Sequence, residues 1–313
     1  MTLTQLEYII ALDTQRNFVQ AAEKCFVTQP TLSMQIRKLE EYLGVNIFDR
    51  SKQPVVPTEI GMEIIEKARG IVNESYKLRE LISDRKGEFE GELKVGVIPT
   101  IAPYLLPKVI VLFMKKYPKV KLLIWEYTTE QIIQDLKTGL LDCGLLSTPI
   151  QDQSLNEIHL FYENFVAYLS PSSTLMKKKE LKSKDINPDE LWLLNEGHCM
   201  RNQVLNICPK KKSGNDRQHF EYNTGSVETL KRMVDLNNGI TILPELSLSD
   251  LSSKQMKRIR YFVSPQPTRE ISIVTHRDYL KRRLIAALQK EVLATIPDEM
   301  RSSKKKEIMH IYS

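Results

Sequence analysis

The sequence predicts an α/β protein carrying an all-α amino-terminal module, and three observations predict it. Apolar residues recur at helical spacing through nearly all of the first 90 positions. Beyond them, short apolar runs alternate with helix-patterned stretches, as strands and helices laid against one sheet would do. Between the two lies KGEFEGE (86–92), a polar, glycine-containing break. At 313 residues the chain has room for two compact domains.

Leu6, Ile9, Ile10 and Leu12 mark a first helix, and Phe18, Ala21, Ala22 and Cys25 a short second one. Thr28-Gln29-Pro30 then supplies an N-cap residue and a proline in the first turn, where a missing N–H does little harm. The third helix runs to about Tyr42 with Leu32, Ile36 and Leu39 inward and Ser33, Gln35, Arg37 and Lys38 outward; Gly44 closes it. Residues 45–58 read as two short extended pieces around a turn. A long helix starts at Glu59, where Ile64, Ala68, Ile71, Ser75, Leu78 and Ile82 are spaced 4, 3, 4, 3, 4. That heptad seam predicts a helix paired with another.

After the break, Leu93–Ile98, Val120–Trp125 and Leu141–Leu146 read as strands. The helices between them run from PTIAPYLLP to near Tyr117 and over Thr129–Gly139. Such alternation predicts a largely parallel sheet. A second α/β portion spans about 165–266, and Ile271–Val274 with the helix from Asp278 returns to the first. The tail from Arg301 is basic and polar and reads as loose.

Hydrophobic residues at 42% and charged residues at 27% describe an ordinary soluble protein. No apolar run approaches a membrane span, and TLTQLEYII carries no secretory pattern. Four unevenly spaced cysteines form no disulfide framework, so reduced thiols and a cytoplasmic location are expected. Net charge is +6, yet residues 1–58 hold six Lys/Arg against six Asp/Glu. Bulk charge therefore names no partner, and a nucleic-acid role has to rest on local geometry. No nucleotide loop, Ser-His-Asp signature or metal motif stands out, so neither an enzyme class nor a cofactor is expected.

Local geometry offers one. Asn17–Tyr42 places a polar-faced helix directly after a short helix packed through Ala21 and Ala22. A major groove accepts such a helix, with Gln29, Ser33 and Arg37 reaching base edges and Arg50 the flanking backbone. A three-helix packing module without nucleic acid has the same periodicity. The run FVQAAEKCFVTQPTLSMQIRKLEEYLGVNIFDR, followed by T-x-x-G at 58–61, resembles the winged helix–turn–helix of the LysR-type transcriptional regulators. The likeness extends over the long helix and the α/β portion.

The resemblance implies a winged helix–turn–helix over 1–58, a dimerising linker helix over 59–87 (paired through 59–85) and a hinge at 88–92. It also implies a regulatory domain over 93–300, built like a periplasmic binding protein. Subdomain I would take about 93–164 and 267–300, subdomain II about 165–266, leaving 301–313 as a flexible tail. Promoter DNA, RNA polymerase and further copies of the chain, up to a homotetramer, are the implied partners. Gln29, Pro30, Thr31, Ser33, Arg37, Arg50 and Thr58 become the DNA-facing candidates.

Two cysteines, Cys199 and Cys208, lie in NEGHCMRNQVLNICPKKK. Met200, Val204 and Ile207 follow i, i+4, i+7, and Pro209 stops the run, so 199–207 reads as a short helix. Its length holds the two residues about 13 Å apart. A disulfide needs Cα atoms at roughly 4.4–6.8 Å. Bond and helix would therefore exclude each other. The helix start, His198 and Arg201 favour a thiolate at Cys199. The residues alone leave two other readings open: two buried small hydrophobes, and a zinc site using His198, Cys199, Cys208 and His219, for which the spacing is poor.

GHCMRNQVLNIC, GVIPTIAPYLLP and GSVETLKRMVDLNNGITILP resemble segments of the hydrogen-peroxide-sensing members of the same family. That likeness implies a peroxidatic Cys199, a resolving Cys208 and a reversible disulfide between them. Thr100, Thr129, His198, Arg269 and Asn202 would form the peroxide pocket. A thiol reductant of the glutaredoxin or thioredoxin type would reset the pair. Asn202 departs from the aspartate common in those members and cannot take up a proton. Turnover would be stoichiometric, so no enzyme is expected. Competing expectations are a LysR-type regulator answering to a small metabolite in the regulatory cleft, and a thiol peroxidase with a DNA-binding appendage.

Overall fold

A computed structural model describes residues 1–86, 89–195, 199–208, 224–277, 279, 281–302 and 306–311. The chain divides into two units, one built on Met1–Glu88 and the other on Phe89–Arg277 and Lys281–Ser313.

In the first unit, helices α1 (Leu3–Gln15), α2 (Phe18–Lys24) and α3 (Gln29–Leu43) precede a two-stranded wing, β1 (Phe48–Asp49) and β2 (Val56–Pro57), and the long α4 (Glu59–Lys86). A reciprocal Thr2/Gln5 box starts α1, and the Asn17 side chain caps α2 by accepting from Val19 N and Gln20 N. Ile9, Leu12, Leu32, Ile36 and Leu39 are fully buried. Each contributes about 1.5–3 kcal/mol of transfer free energy. Thr28 holds the N-cap position of α3, but its hydroxyl bonds Thr31 Oγ1 at 2.8 Å and caps no backbone N–H, contrary to expectation. Cys25 is half-buried at the end of α2.

The buried Glu40 ties the wing to α3. One carboxylate oxygen accepts from Ile47 N at 2.8 Å and Phe48 N at 3.2 Å, and the other from Arg50 at 2.7 Å. Thr58 donates to Asn46 O at 2.7 Å and accepts from Gly61 N at 3.0 Å. Gly61 is required by space, since a Cβ there would sit 2.0 Å from Ile47 O. The heptad seam of α4 resolves into two faces. Ile65, Ala68 and Val72 enter the core of this unit, whereas Ile71 and Leu78 are exposed.

The second unit begins with β3 (Gly91–Val97), α5 (Ala102–Lys116), β4 (Val120–Glu126), α6 (Thr129–Thr138) and β5 (Cys143–Thr148). The long β6 (Leu155–Leu169), β7 (Glu180–Leu181), β8 (Leu191–Trp192), α7 (Cys199–Ile207), α8 (Val227–Leu236), β9 (Ile240–Pro244), α9 (Ser253–Met256) and β10 (Ile259–Phe262) follow. The last elements are β11 (Gln266–His276), α10 (Arg282–Thr295) and β12 (Lys306–Ile308). The main strand path is β4-β3-β5-β11-β6-β10-β7.

β3 runs parallel to β4 and β5, but β11 is antiparallel to both β5 and β6, so the sheet is mixed rather than largely parallel. The reason is topological. β6 pairs with β11 up to Asn164 and with β9 and β10 beyond it, carrying the chain into the second half of the sheet. β11 carries it back, and two crossings in opposite directions are antiparallel.

Residues 306–311, within the stretch expected to be loose, are also packed in place. Lys306–Ile308 pairs with Gln266–Thr268, and Met309 and Ile311 are buried on either side of the exposed His310. A short strand, and beyond it a period-two alternation of buried residues, stand where net polarity suggested a tail. Among the described residues, no helix is long and apolar enough to cross a membrane.

Candidate functional site

The loops after β3 and β4 lie at the carboxyl ends of parallel strands, where open α/β sheets bind ligands. The first carries Thr100, and the second leads into Thr129, the opening residue of α6. Arg269 reaches the same place from β11, directly across from Glu163 on β6. The guanidinium is fully buried. It contacts Glu163 Oε2 at 2.7–2.8 Å, donates to Thr100 Oγ1 at 2.7 Å and to Thr100 O at 3.3 Å, and stacks over Phe165. Glu163 is equally buried and also accepts from Leu246 N at 2.7 Å. Burial pushes its carboxyl above the ordinary range, opposed by the Arg269 charge.

Cys199 opens α7 within this setting. Burial pushes its thiol above the ordinary cysteine range. The Thr129 hydroxyl, the Arg269 charge and the backbone N–H groups at the helix start all favour the thiolate. The expected thiolate at rest is thus corrected: the favourable groups exist, but desolvation outweighs them. The Arg201 guanidinium donates to Leu194 O at 2.8 Å. The Thr129 hydroxyl is buried beside the sulfur yet completes no directed hydrogen bond to a protein atom. Since Thr100 Oγ1 accepts from Arg269, its own proton remains a donor for something else.

Cys208 follows the other end of α7, packed with Met200, Val204 and Ile207 in the apolar core. Burial alone pushes its thiol up to about 12. Both cysteines are free, and the nine-residue helix separates them by about 13 Å. Cys143 is buried in β5, and burial raises its thiol strongly. Among the described residues no cluster of metal-ligand side chains forms.

Thr100, Thr129, Arg269 and Cys199 are therefore linked. Asn202 is not part of this group, since its amide donates to Ile311 O at 3.2 Å. His198, His219 and the lysines at 210–212 lie outside the described residues. Two residues at the site escaped sequence reasoning. Glu163 shows only as an acid among the apolar neighbours Phe161, Phe165 and Val166. Gln203, fully buried, donates to Ser147 Oγ at 3.1 Å and to Met309 O at 2.8 Å. Its signal was a polar residue one turn on from Cys199, on the inward face.

In the first unit, Gln29, Pro30 and Arg37 stand exposed along α3, with Thr31 and Ser33 half-buried beside them. Arg37 makes only a loose ion pair with Glu41, at 3.7 Å. Arg50 and Thr58, expected to face DNA, are engaged within the protein, by Glu40 and by Asn46 and Gly61.

Residues 3–62 match the model of the bacterial regulatory helix-turn-helix protein, lysR family, and residues 86–296 match the LysR substrate binding domain. The chain belongs to the LysR family of transcriptional regulators. LysR-type relatives of similar sequence include a hydrogen peroxide-inducible genes activator of Haemophilus influenzae, 34% identical over 96% of this chain and 98% of that protein. The DNA-binding transcriptional dual regulator OxyR of Escherichia coli K12 is 34% identical over 88% of this chain and 89% of that one. A full-length OxyR variant from Pseudomonas aeruginosa superposes with a TM-score of 0.78 at 34% identity, covering 94% of this chain and 98% of that one. As a LysR-type regulator the chain acts in transcription and is not an enzyme.

Proposed function

We propose that this chain is a transcriptional activator responding to hydrogen peroxide through a reversible Cys199–Cys208 disulfide. One observation carries the reading. Cys199 sits where a helix start, Arg269 and an incompletely bonded Thr129 hydroxyl converge, and the second cysteine stands at the far end of the same short helix. The Haemophilus influenzae relative supports it, being named an activator of hydrogen peroxide-inducible genes.

The Cys199 sulfur, on losing its proton, attacks one peroxide oxygen and the O–O bond breaks. The departing hydroxide takes up a proton to become water, with the Thr100 and Thr129 hydroxyls as donors at the developing charge. Cys208 then attacks the sulfenic sulfur and releases a second water. In sum, two thiols and one peroxide give one disulfide and two waters. Closing that bond requires α7 to unwind, and we read the unwinding as the signal that rearranges the oligomer on DNA. A glutaredoxin- or thioredoxin-type thiol would return the pair to the reduced state.

The exposed Ile71 and Leu78 on α4 suit pairing with a second copy. Gln29, Pro30, Thr31, Ser33 and Arg37 suit promoter DNA, with RNA polymerase as the further partner of an activator. The deciding experiment treats reduced protein with near-equimolar peroxide, blocks free thiols and digests with trypsin. Cleavage after Arg201 separates the cysteines, so a cross-linked peptide pair is expected. Two separately alkylated peptides would sink the disulfide reading.

A hollow of about 630 Å³ lined by Pro99, Glu126, Tyr127, Thr128, Gln131 and Gly225 supports a second reading, a small-metabolite effector. Under it, Cys199→Ser leaves the effector response intact.

A further inference from the structure

The inner part of α7 is bound to the carboxy-terminal strand segment. Three side-chain amides on one arc of the helix donate to three consecutive backbone carbonyls: Gln203 to Met309 O at 2.8 Å, Asn206 to His310 O at 3.3 Å and Asn202 to Ile311 O at 3.2 Å. The segment is anchored on its other side by the pairing of Lys306–Ile308 with β11, continued by Met309 N donating to Thr268 O at 2.8 Å. Met309 and Ile311 are buried, so the segment is packed as well as hydrogen-bonded. A nine-residue helix has little stability of its own and depends on such outside contacts.

We propose that residues 306–311 are a strap that holds α7 folded in the reduced chain and comes away from it on oxidation. The release rests on the disulfide reading above; the holding does not. All three amide donors lie between the two cysteines in sequence. Drawing the Cα atoms of Cys199 and Cys208 from about 13 Å to within 7 Å therefore disrupts the helical spacing that aims the amides at successive carbonyls. The strap favours the dithiol over the disulfide, so it sets how strong an oxidant the switch needs. Its release also uncovers the edge of β11 next to Arg269, which makes strap and redox site parts of one conformational change.

Three measurements on the full chain test this. The first needs no oxidant. Asn202→Ser with Asn206→Ser removes two donors while keeping similar helix propensity. In the reduced double variant, hydrogen exchange is expected to quicken roughly tenfold over both 199–207 and 306–311. Unchanged exchange at 306–311 overturns the strap. The second places the same variant in a buffer of reduced and oxidised glutathione, where its equilibrium is expected to move about tenfold toward the disulfide, about 30 mV more reducing. An unmoved potential overturns the claim that the strap favours the dithiol.

The third compares reduced and peroxide-treated chains, with peroxide-treated Cys199→Ser as control. Protection at 306–311 is expected to fall in the oxidised chain alone. A disulfide formed with 306–311 still protected overturns the release but leaves the sensor intact. No disulfide at all overturns the sensor and the release together, and the first measurement still decides the holding.

Discussion

The amino-terminal unit and the surroundings of α7 are stabilised in opposite ways. The first is an apolar core of residues near one another in sequence, with Ile9, Leu12, Leu32, Ile36 and Leu39 stacked inside four helices. The second depends on buried polar groups brought from far along the chain. Arg269 reaches Thr100 across 169 positions, and Gln203 reaches Met309 across 106. Apolar packing tolerates repacking and changes gradually. A buried polar network specifies a single arrangement, and breaking one member leaves the others unsatisfied. A DNA-reading module benefits from the first property, and the switch proposed for α7 from the second.

The largest expected effect breaks the polar side of this contrast. Arg269→Met leaves the Glu163 carboxylate buried without its cation, and stability should fall by about 3–5 kcal/mol in urea denaturation. Adding Glu163→Leu should recover most of that loss while the reaction of Cys199 with peroxide stays slow. Full recovery of peroxide reactivity in the double variant would mean the pair serves stability alone.

A smaller effect probes the apolar side. Gly61→Ala drives a methyl group into Ile47 O and should lower the thermal stability of the amino-terminal unit by about 1–3 kcal/mol. Exchange protection at α7 should not change. A simultaneous loss there would erase the distinction between the two regions.

The smallest sharpens the difference between the ends of α7. Burial raises both thiols above the unfolded value, so the folded state holds these protons more tightly. The stability this contributes is full below about pH 9 and declines as pH rises toward the folded values, near 12 for Cys208. Each thiol steepens the decline by at most about 1.4 kcal/mol per pH unit. Cys208→Ser should flatten the alkaline arm of a pH–stability curve; an unchanged slope would place that thiol in water.

What could be read from the sequence follows the same contrast. Helix α7 was legible because Met200, Val204 and Ile207 keep a helical period and the sequence places a proline shortly after them. The helices of the amino-terminal unit were legible for the same reason. Arg269 and Thr100 came through family likeness, but Glu163 did not, because the pairing depends on strand register set elsewhere in the fold. The direction of the Cys199 thiol was misjudged because neighbours in sequence suggest charge, whereas burial is a tertiary property. The tail was misjudged because a run of lysines masked two alternating apolar residues, Met309 and Ile311.

Glu40 is buried, yet its one carboxylate collects two wing amides and the Arg50 guanidinium onto the last turns of α3. Helix and wing consequently travel as a rigid pair, and the distance between what each can grip is fixed in advance. A genetic screen for lost promoter occupancy should thus return Glu40 alongside the residues of the exposed helix face, although it never meets a base.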